Sequence, residues 1–502
     1  GIARVEAVVQ WPLSTMDCRL SHCLPWLNKV QGSMLSFTKA MRPDLLKITL
    51  LLGLCCQIQV LQAQALPAQA SSLVPLYRST SERLIEQALQ SSTGFDRLAL
   101  MCDRFGSRFS GSESLEQAID WALQTMGEDG FSNVRGESVE VPRWVRGNES
   151  LLLLSSSPRE CPMLGLGGSV GTPTDGIEAE VLVVNSFEDL QEKADEARGR
   201  VVLFNAPFTD YGATVVFRVR GAIEAAKVGA VASLIRSVGP FSMQTPHTGM
   251  MSYEASVPKI PHAAITLEDA SMMERMQARG ETVRVRLKME AQTLEPTLSR
   301  NVVAEIPGKE FPEQVVLVSG HIDSWDVGQG AMDDGGGCLA MWEAARLILR
   351  SQGQPRRTIR IVLWTNEENG MAGVRAYQKA HASEMTNHVL AIESDAGTFE
   401  PEGFSFTGSE KAMPYLEAIG HLLSDMGAER LKWGAGVSDI MHLVSDGVPV
   451  MGLDVDRTRY FWYHHTAADT VDKLDRDEFN RCVAASAVMM WIVADMPTRL
   501  PR

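Results

Sequence analysis

The chain has 502 residues, of which 45% are hydrophobic and 22% are charged, a composition typical of globular proteins. This length indicates about two or three domains and is sufficient for a large hydrophobic core. The net charge of −15 disfavours nucleic acid as a partner, because phosphate binding requires clustered positive charge.

Residues 41–65 have the pattern of a secretory signal peptide. A basic flank that includes Lys47 precedes an apolar stretch at 48–56 (ITLLLGLCC), and Ala-Gln-Ala at 63–65 provides small residues at the spacing that a signal peptidase prefers. The apolar stretch is too short to span a bilayer, so the sequence predicts secretion without a membrane anchor. A buried hydrophobic helix is the alternative, but it would not account for the basic flank. Residues 1–40 are interpreted as an upstream leader or a gene-model artefact.

Four cysteines would remain after cleavage, and they are Cys102, Cys161, Cys338 and Cys482. They are widely spaced and form no C-x-x-C, which excludes a zinc ribbon and a dense disulfide framework. One disulfide among them is compatible with an oxidising compartment, but the spacing does not indicate which two would pair. Asn148 begins an N-E-S sequon and is a candidate glycosylation site.

Residues 66–160 are interpreted as the first part of a main domain, and their first few residues are a candidate propeptide. Apolar residues at helical spacing predict a helix over 115–126, with Gly127 as its stop. Strands are predicted over 139–145 and 151–154.

Residues 161–292 are interpreted as an inserted, β-rich domain. A turn sequence at 172–176 (TPTDG) marks the change in character. Short apolar strands follow, among them 181–184 and 201–205, together with one helical pattern at 221–228.

Residues 293–502 alternate between apolar strands and amphipathic helices. The predicted strands are 315–319, 359–364 and 389–393, and the predicted helices are 338–349, 372–381 and 479–494. This alternation predicts an α/β domain with a mostly parallel, mixed sheet that is flanked by helices.

Five short segments of the chain carry side chains that bind metal. The segments are SGHID, AMDDGG, TNEENG, ESDAG and YHHTAADT, and they contain His321, Asp333, Glu367, Glu368, Asp395 and His465. Three of the segments directly follow a predicted strand. Since the carboxyl ends of parallel strands meet at one edge of a sheet, we expect these side chains to lie together. Two imidazoles and several carboxylates are the ligand mixture that holds a pair of zinc ions.

Each segment also has a structural explanation when it is taken alone. The pair Asp333-Asp334 suits a turn, and Glu367-Glu368 suits a helix start, where acids are favoured by the dipole. Agreement among five segments favours metal-assisted hydrolysis instead. We then expect Glu368 to bind metal and Glu367 to act as general base on a water between two ions.

Three residues close in sequence to the expected ligands are predicted to support the site. Asp323 lies two residues after His321 in H-x-D, so we expect its carboxylate to orient the imidazole by accepting its second N–H. Tyr463 and His464 precede His465 and are candidate residues of the substrate pocket.

The order H-x-D, D-D-G-G-G, E-E, S-D-A-G and H-T-x-x-D-T resembles the di-zinc aminopeptidase and glutamate carboxypeptidase family. The runs GHIDSWDVGQGAMDDGGG (320–337), ESDAGTF (393–399), FTGSEKA (406–412) and VADMPTRLP (493–501) are also similar to members of this family. The resemblance extends from about residue 72 to the C-terminus.

The resemblance implies a di-zinc exopeptidase fold with an inserted protease-associated domain. It implies one zinc on His321 and Asp395, a second on Glu368 and His465, Asp333 between the two ions, and Glu367 as general base. It also implies a homodimer that is secreted or resides in the lysosome, the ER or the Golgi, and that carries glycans. The implied substrates are dipeptides with free termini, hydrolysed by a hydroxide that the zinc pair holds.

Two other functions are compatible with parts of this pattern. An aminopeptidase of the same architecture would trim longer peptides with the same metal ligands. A non-catalytic receptor ectodomain would keep the fold and lose the chemistry. The second alternative requires missing ligands, and all six expected catalytic positions are filled.

Overall fold

The computed structural model describes residues 69–155 and 157–502. The expected leader and signal peptide at residues 1–65 lie outside this part of the chain. The helices are α1 (residues 69–90), α2 (Thr93–Phe105), α3 (Glu113–Asp129), α4 (Phe187–Glu192), α5 (Ala194–Ala197), α6 (Tyr211–Lys227), α7 (Leu267–Ala278), α8 (Gly336–Ser351), α9 (Ala372–Ala380), α10 (Met413–Gly420), α11 (Tyr460–Tyr463) and α12 (Arg476–Asp495).

The strands of the described residues form two sheets. They are β1 (Ser132–Val145), β2 (Glu149–Leu153), β3 (Arg159–Cys161), β4 (Met163–Gly165), β5 (Ile177–Val184), β6 (Val201–Phe204), β7 (Ala232–Arg236), β8 (His262–Ile265), β9 (Arg284–Met289), β10 (Gln292–Ile306), β11 (Phe311–His321), β12 (Arg357–Trp364), β13 (His388–Glu393), β14 (Pro401–Thr407), β15 (Arg430–Trp433) and β16 (Val450–Val455).

The first sheet has eight strands in the order β1-β10-β12-β11-β13-β16-β14-β15. Its four central strands, β12, β11, β13 and β16, are parallel, whereas β1, β10 and β14 each pair antiparallel with a neighbour. Every residue of β12 and β13 is buried, as expected for strands that are covered by helices on both faces. The predicted α/β fold with a mixed sheet and flanking helices is therefore confirmed.

The second sheet is built from the segment between β1 and β10. Its order is β3-β2-β9-β5-β6-β7-β8-β4, and β5 to β8 are parallel. The long strands β1 and β10 pair antiparallel and carry the chain out of the first sheet and back again. The second sheet begins at Glu149, ahead of the boundary expected at residue 161, and it is accompanied by the helices α6 and α7.

Helix α3 extends past the predicted stop at Gly127. It begins after Ser112, whose hydroxyl accepts a hydrogen bond from the amide of Leu115, and it ends at Gly130. Gly130 adopts a left-handed conformation with φ 92°, which is common at the C-terminal end of a helix and which Gly127 does not have. The prediction of Gly127 as the stop was wrong, because an isolated glycine is tolerated inside a helix.

Across residues 69–155 and 157–502, no helix combines the length and apolarity that a membrane span requires.

Candidate metal centre

The parallel strands of the first sheet position the expected ligands along one edge. His321 is the last residue of β11, the Glu367–Glu368 pair follows β12, and Asp395 follows β13. The three strands are neighbours in the sheet, so their carboxyl ends place these side chains side by side.

The loop before α8 brings Asp333 to the same edge. The helix start approaches the loop after β13 so closely that a Cβ at Gly337 would overlap the carbonyl of Ser394. Glycine is therefore required at this position, because it has no Cβ and allows the backbone to approach closely.

Asp333 lies between the two histidines. Its Oδ1 is 3.2 Å from Nε2 of His321, and its Oδ2 is 3.3 Å from Nε2 of His465. His321 Nε2 is also 3.4 Å from Oδ1 of Asp395, and His465 Nε2 is 3.1 Å from Oε2 of Glu368. The structure thus brings all five expected ligands into one buried cluster with a central carboxylate.

The hydrogen bonds of the two imidazoles show that this cluster fits cations. Nδ1 of His321 lies 3.0 Å from the carbonyl of Asp323, and Nδ1 of His465 lies 3.3 Å from the carbonyl of Thr248. A carbonyl only accepts, so each Nδ1 carries a proton, and in the neutral imidazole each Nε2 would present a lone pair toward the carboxylates. Acceptors that converge in this way require positive charge between them.

Two buried oxygens of the cluster support the same conclusion. Asp333 Oδ2 and Glu368 Oε1 have no hydrogen-bond partner in the described part of the chain. Unpaired buried carboxylate oxygens cost free energy unless a cation or a proton satisfies them. Groups of three side chains suited to a metal ion are His321–Asp333–Glu368, His321–Asp334–Asp395 and Asp333–His464–His465.

The electrostatics of the cluster without bound cations favour protons in their place. Burial opposes the charged form of His465, but the carboxylates of Glu368 and Asp333 raise its pKa to about 10. Burial, followed by repulsion from Asp333, raises the pKa of Glu368 to about 7. Both shifts have the direction expected when several buried carboxylates lie close together and a positive charge among them is favourable.

Glu367 differs from its neighbour Glu368. Its side chain lines the cavity beside the cluster but has no hydrogen bond or ion pair with any described residue. Burial raises its pKa well above the usual range, and the nearby Asp395 and Glu368 add to this effect. Of the two adjacent glutamates, Glu368 therefore contacts the expected ligand His465, whereas the carboxylate of Glu367 has no such contact in the described part of the chain.

Asp323 supports the site by a contact that differs from the expected one. The backbone carbonyl of Asp323, and not its carboxylate, faces Nδ1 of His321, since the carboxylate is 3.9 Å away. The carboxylate instead accepts hydrogen bonds from the amides of Glu367 at 3.0 Å and Glu368 at 3.3 Å. Asp323 thus fixes the loop that carries Glu367 and Glu368.

Replacing Asp323 with Ala should lower the free energy of unfolding by roughly 2–5 kcal/mol, because two buried amides would lose their charged acceptor. Asp323→Asn is the matched control and should cost less, since it keeps one acceptor oxygen of the same shape. Chemical denaturation of both variants measures the difference. Equal stability of the two variants and the wild type would show that the loop is held by other contacts.

Two further carboxylates of the site were not predicted from the sequence. Asp469 accepts hydrogen bonds from the amides of Met332 at 2.7 Å and Asp333 at 3.2 Å. Asp334 accepts from the amides of His321 at 3.0 Å and Gly337 at 3.1 Å. Asp334 adjoins the expected ligand Asp333, and Asp469 follows His465 by four residues. The sequence does not show whether such an aspartate is buried and accepts hydrogen bonds from backbone amides or lies in an exposed turn.

The second sheet contributes to the site through a loop next to β8. Nδ1 of His247 donates to the carbonyl of His464 at 2.7 Å, and the amide of Thr248 donates to the carbonyl of His465 at 2.9 Å. These bonds hold His465 in a left-handed conformation with φ 60°, which is unfavourable for a histidine. His247 therefore helps to fix the backbone that leads into the expected ligand His465.

The cluster opens into a cavity of about 540 Å³. His464 lines this cavity and stacks on His465 with 3.5 Å between the ring centroids. Tyr463 does not line it, and the prediction that it would was wrong. Tyr460 and Phe461 of α11 line it instead.

The remaining candidate residues do not line this cavity. Asn148 is exposed, and its side-chain amide donates to Glu290 at 2.9 Å. The four described cysteines, Cys102, Cys161, Cys338 and Cys482, are all buried free thiols.

Comparison with known proteins agrees with this geometry. Residues 301–490 match the model of Peptidase family M28. The chain is 50% identical over 409 residues to a human (Homo sapiens) protein, with 81% of this chain and 86% of that protein covered. The chain belongs to peptidase family M28, and it is a metallopeptidase.

The human relative is carboxypeptidase Q. Carboxypeptidase Q of Xenopus laevis is 45% identical over 456 residues, which cover 90% of this chain and 97% of that protein. Among solved structures, a peptidase M28 precursor from Shewanella amazonensis SB2B superposes with a TM-score of 0.82 at 35% identity. That comparison covers 85% of this chain and 99% of the bacterial one.

Proposed function

We propose that this metallopeptidase is a zinc exopeptidase that hydrolyses dipeptides with free termini. The observation that carries the proposal is the position of Asp333 between two imidazoles, 3.2 Å from His321 and 3.3 Å from His465. A shared central carboxylate with nitrogen and oxygen ligands on both sides suits two zinc ions better than one. The relatives named carboxypeptidase Q support an exopeptidase.

The ligand distances divide the cluster into two halves. His321 and Asp395 would hold one zinc, Glu368 and His465 would hold the other, and Asp333 would bind both. When bound, the two ions would polarise the peptide carbonyl and lower the pKa of a water molecule.

Glu367 performs the proton transfers in this proposal. Its carboxylate takes a proton from the attacking water and then gives it to the nitrogen of the departing amine. Asp323 holds Glu367 in place through the backbone amide, and the ring of His464 closes the cavity wall beside His465. No Ser or Cys nucleophile is required, since water attacks the carbonyl carbon directly.

The proposed location and assembly depend on the sequence. The signal-like segment at residues 41–65 supports secretion or delivery to the lysosome through the ER and Golgi. The exposure of Asn148 is compatible with a glycan at this sequon. We further propose a homodimer, as the family resemblance implies.

Removing the metal should abolish dipeptide hydrolysis, and zinc should restore it. Elemental analysis of the purified protein is expected to find about two zinc ions per chain, as the two-metal arrangement requires. Activity on a free dipeptide is followed by chromatography after chelation and again after zinc is added back. Hydrolysis that survives complete metal removal would contradict the proposal.

A substrate panel separates the proposed dipeptidase from an aminopeptidase that trims longer peptides. We expect the free dipeptide to be hydrolysed well, and its N-acetylated form and a pentapeptide of the same sequence start to be poor substrates. Equal or faster release of the first residue from the pentapeptide would instead assign the protein to the aminopeptidases.

A further inference from the structure

The junction between the two sheets contains a buried arginine that the proposed chemistry does not use. Arg146 directly follows β1, which leads out of the first sheet, and only 9% of it is exposed. Its Nε and Nη2 donate to the two carboxylate oxygens of Asp326 at 2.8 and 2.5 Å. Asp326 lies in the metal loop (residues 322–332), which connects the expected ligands His321 and Asp333. Arg146 therefore holds this loop by a bidentate ion pair.

The same guanidinium also binds the second-sheet segment (residues 147–291). Its Nη1 lies 3.5 Å from Oε1 of Glu149, at the start of β2, and donates a hydrogen bond to the carbonyl of Gly165, at the end of β4. Its Nη2 donates to the hydroxyl of Thr248, in the loop before β8, at 3.3 Å. This hydroxyl donates in turn to the carbonyl of Gly165 at 3.0 Å. Arg146 therefore joins the metal loop to three parts of the second-sheet segment.

Thr248 connects this network to a metal ligand. Its amide donates to the carbonyl of His465 at 2.9 Å, and its own carbonyl lies 3.3 Å from Nδ1 of the same histidine. His465 has a left-handed φ of 60°, so it keeps this conformation only while its surroundings are fixed. A displacement of Thr248 would therefore turn the imidazole and move its Nε2 away from Glu368.

The other half of the proposed site is held differently. Nδ1 of His321 lies 3.0 Å from the carbonyl of Asp323, which belongs to the metal loop, and Asp395 follows β13 of the first sheet. This half is therefore supported by the first sheet and its loops. Of the two histidines, only His465 forms a hydrogen bond with the second-sheet segment in the described part of the chain.

The metal loop has a second support that does not involve Arg146. The guanidinium of Arg108 donates to the carbonyls of Ile322 at 2.8 Å, Gln329 at 2.6 Å and Gly330 at 2.9 Å. These bonds fix both ends of the loop from the side of the first sheet. The ion pair between Arg146 and Asp326 is thus placed to hold the second-sheet segment on the loop.

We propose that Arg146 is a positioning residue that couples zinc binding at the His465–Glu368 half to the docking of the second-sheet segment on the metal loop. This inference rests on the proposed two-zinc site and adds the contact through which one half depends on the second sheet. Coupling between two equilibria is reciprocal, so zinc in this half strengthens docking as much as docking strengthens zinc binding. Zinc binding at the His321–Asp395 half is then largely independent of Arg146.

Zinc titration of the metal-free protein measures the two affinities. Arg146→Gln should weaken binding of one zinc ion by roughly 10- to 100-fold, the range typical when a residue that orients a ligand is lost, and change binding of the other by less than about 3-fold. Arg143→Gln is the matched control and should leave both affinities unchanged. Arg143 also lies in β1, but its side chain forms no ion pair or hydrogen bond within the described part of the chain. Competition with a chromophoric chelator follows both binding steps.

Two further substitutions identify which half is weakened. Asp395→Asn should leave zinc mainly in the His465–Glu368 half, and Arg146→Gln should weaken that binding by roughly 10- to 100-fold. Glu368→Gln should leave zinc mainly in the other half, where Arg146→Gln should have an effect of less than about 3-fold. Equal weakening in both backgrounds, or weakening in neither, would overturn the proposed coupling.

Hydrogen exchange measures the reciprocal effect. Amide exchange of residues 247–250 reports docking, since the amide of Thr248 donates to His465. Zinc should slow this exchange in the wild type and in Arg143→Gln, and much less in Arg146→Gln at a concentration that saturates all three proteins. Equal slowing in the three proteins would contradict the coupling. If Arg146→Gln does not fold, Asp326→Asn weakens the same ion pair from the metal loop and should give the same pattern with smaller changes.

These measurements involve no peptide, so they are separate from the proposed reaction. Selective weakening of one zinc ion in a protein that does not hydrolyse dipeptides would overturn only the reaction. An active wild type whose two zinc affinities respond equally to Arg146→Gln would overturn only the coupling. Fewer than two zinc ions in the wild type would overturn both the two-zinc site and this inference.

Discussion

Replacing Glu367 with Gln should lower kcat for dipeptide hydrolysis by roughly a thousandfold, the size expected when a general base is lost. The amide of glutamine has nearly the shape of the carboxylate but cannot take a proton from water. The Glu367 side chain makes no ion pair or hydrogen bond within the described part of the chain, so the substitution removes no contact that holds the ligands. Steady-state kinetics with a free dipeptide measure the loss.

The metal content separates loss of the base from loss of the site. The Glu367→Gln protein should bind as much zinc as the wild type, because its carboxylate is absent from the ligand contacts of both histidines. Glu368→Gln is the matched comparison: it removes a contact of 3.1 Å to His465 and should release metal. Retained activity in Glu367→Gln, or loss of its zinc, would overturn the division of roles between the two glutamates.

Asp333→Asn should release metal and abolish activity, because Asp333 is the carboxylate that both halves of the proposed site share. Burial opposes its ionisation, but the nearby imidazoles of His321 and His465 hold the pKa of Asp333 well below its usual range. Asparagine is neutral and provides one acceptor oxygen where the carboxylate provides two. We expect dipeptide hydrolysis to fall by at least about a thousandfold, and bound zinc to fall below about one ion per chain.

Thermal unfolding gives a second measurement of the same substitution. A ligand that binds the folded state raises the melting temperature with its concentration, so zinc should raise the Tm of the wild type. Zinc should raise the Tm of the Asp333→Asn protein only weakly. Asp395→Asn is the graded control, since Asp395 lies 3.4 Å from His321 and forms no ion pair with His465 in the described residues, so it should affect one ion of the pair. Two tightly held zinc ions in Asp333→Asn would contradict the shared role.

The sequence was most informative at the strand ends, where both the type of residue and its position in the chain indicated a functional site. Apolar strands with polar residues directly after them predicted that His321, the Glu367–Glu368 pair and Asp395 would meet at one edge of a parallel sheet. This prediction follows from backbone geometry, because parallel strands end at a common edge whatever the details of packing. The structure brings these residues together with Asp333 and His465.

The sequence did not predict the directions of side chains or the contacts between residues far apart in the chain. Asp323 was expected to use its carboxylate on His321, but the carbonyl makes that contact. Tyr463 was expected in the cavity, but Tyr460 occupies its wall. Each outcome depends on the conformation of a few backbone residues. The residue types do not determine which atom of such a segment faces the site.

By itself, the sequence determined the α/β fold, since strand and helix periodicity are local properties of the chain, and its motifs indicated the family and the expected metal ligands. Only the tertiary structure decided which glutamate lies against His465 and which carbonyls fix the two imidazoles. It also brought Arg146 into contact with Asp326 and Thr248, although these two residues belong to segments of separate sheets. Such contacts join residues far apart in the chain, and packing between the two sheets selects them.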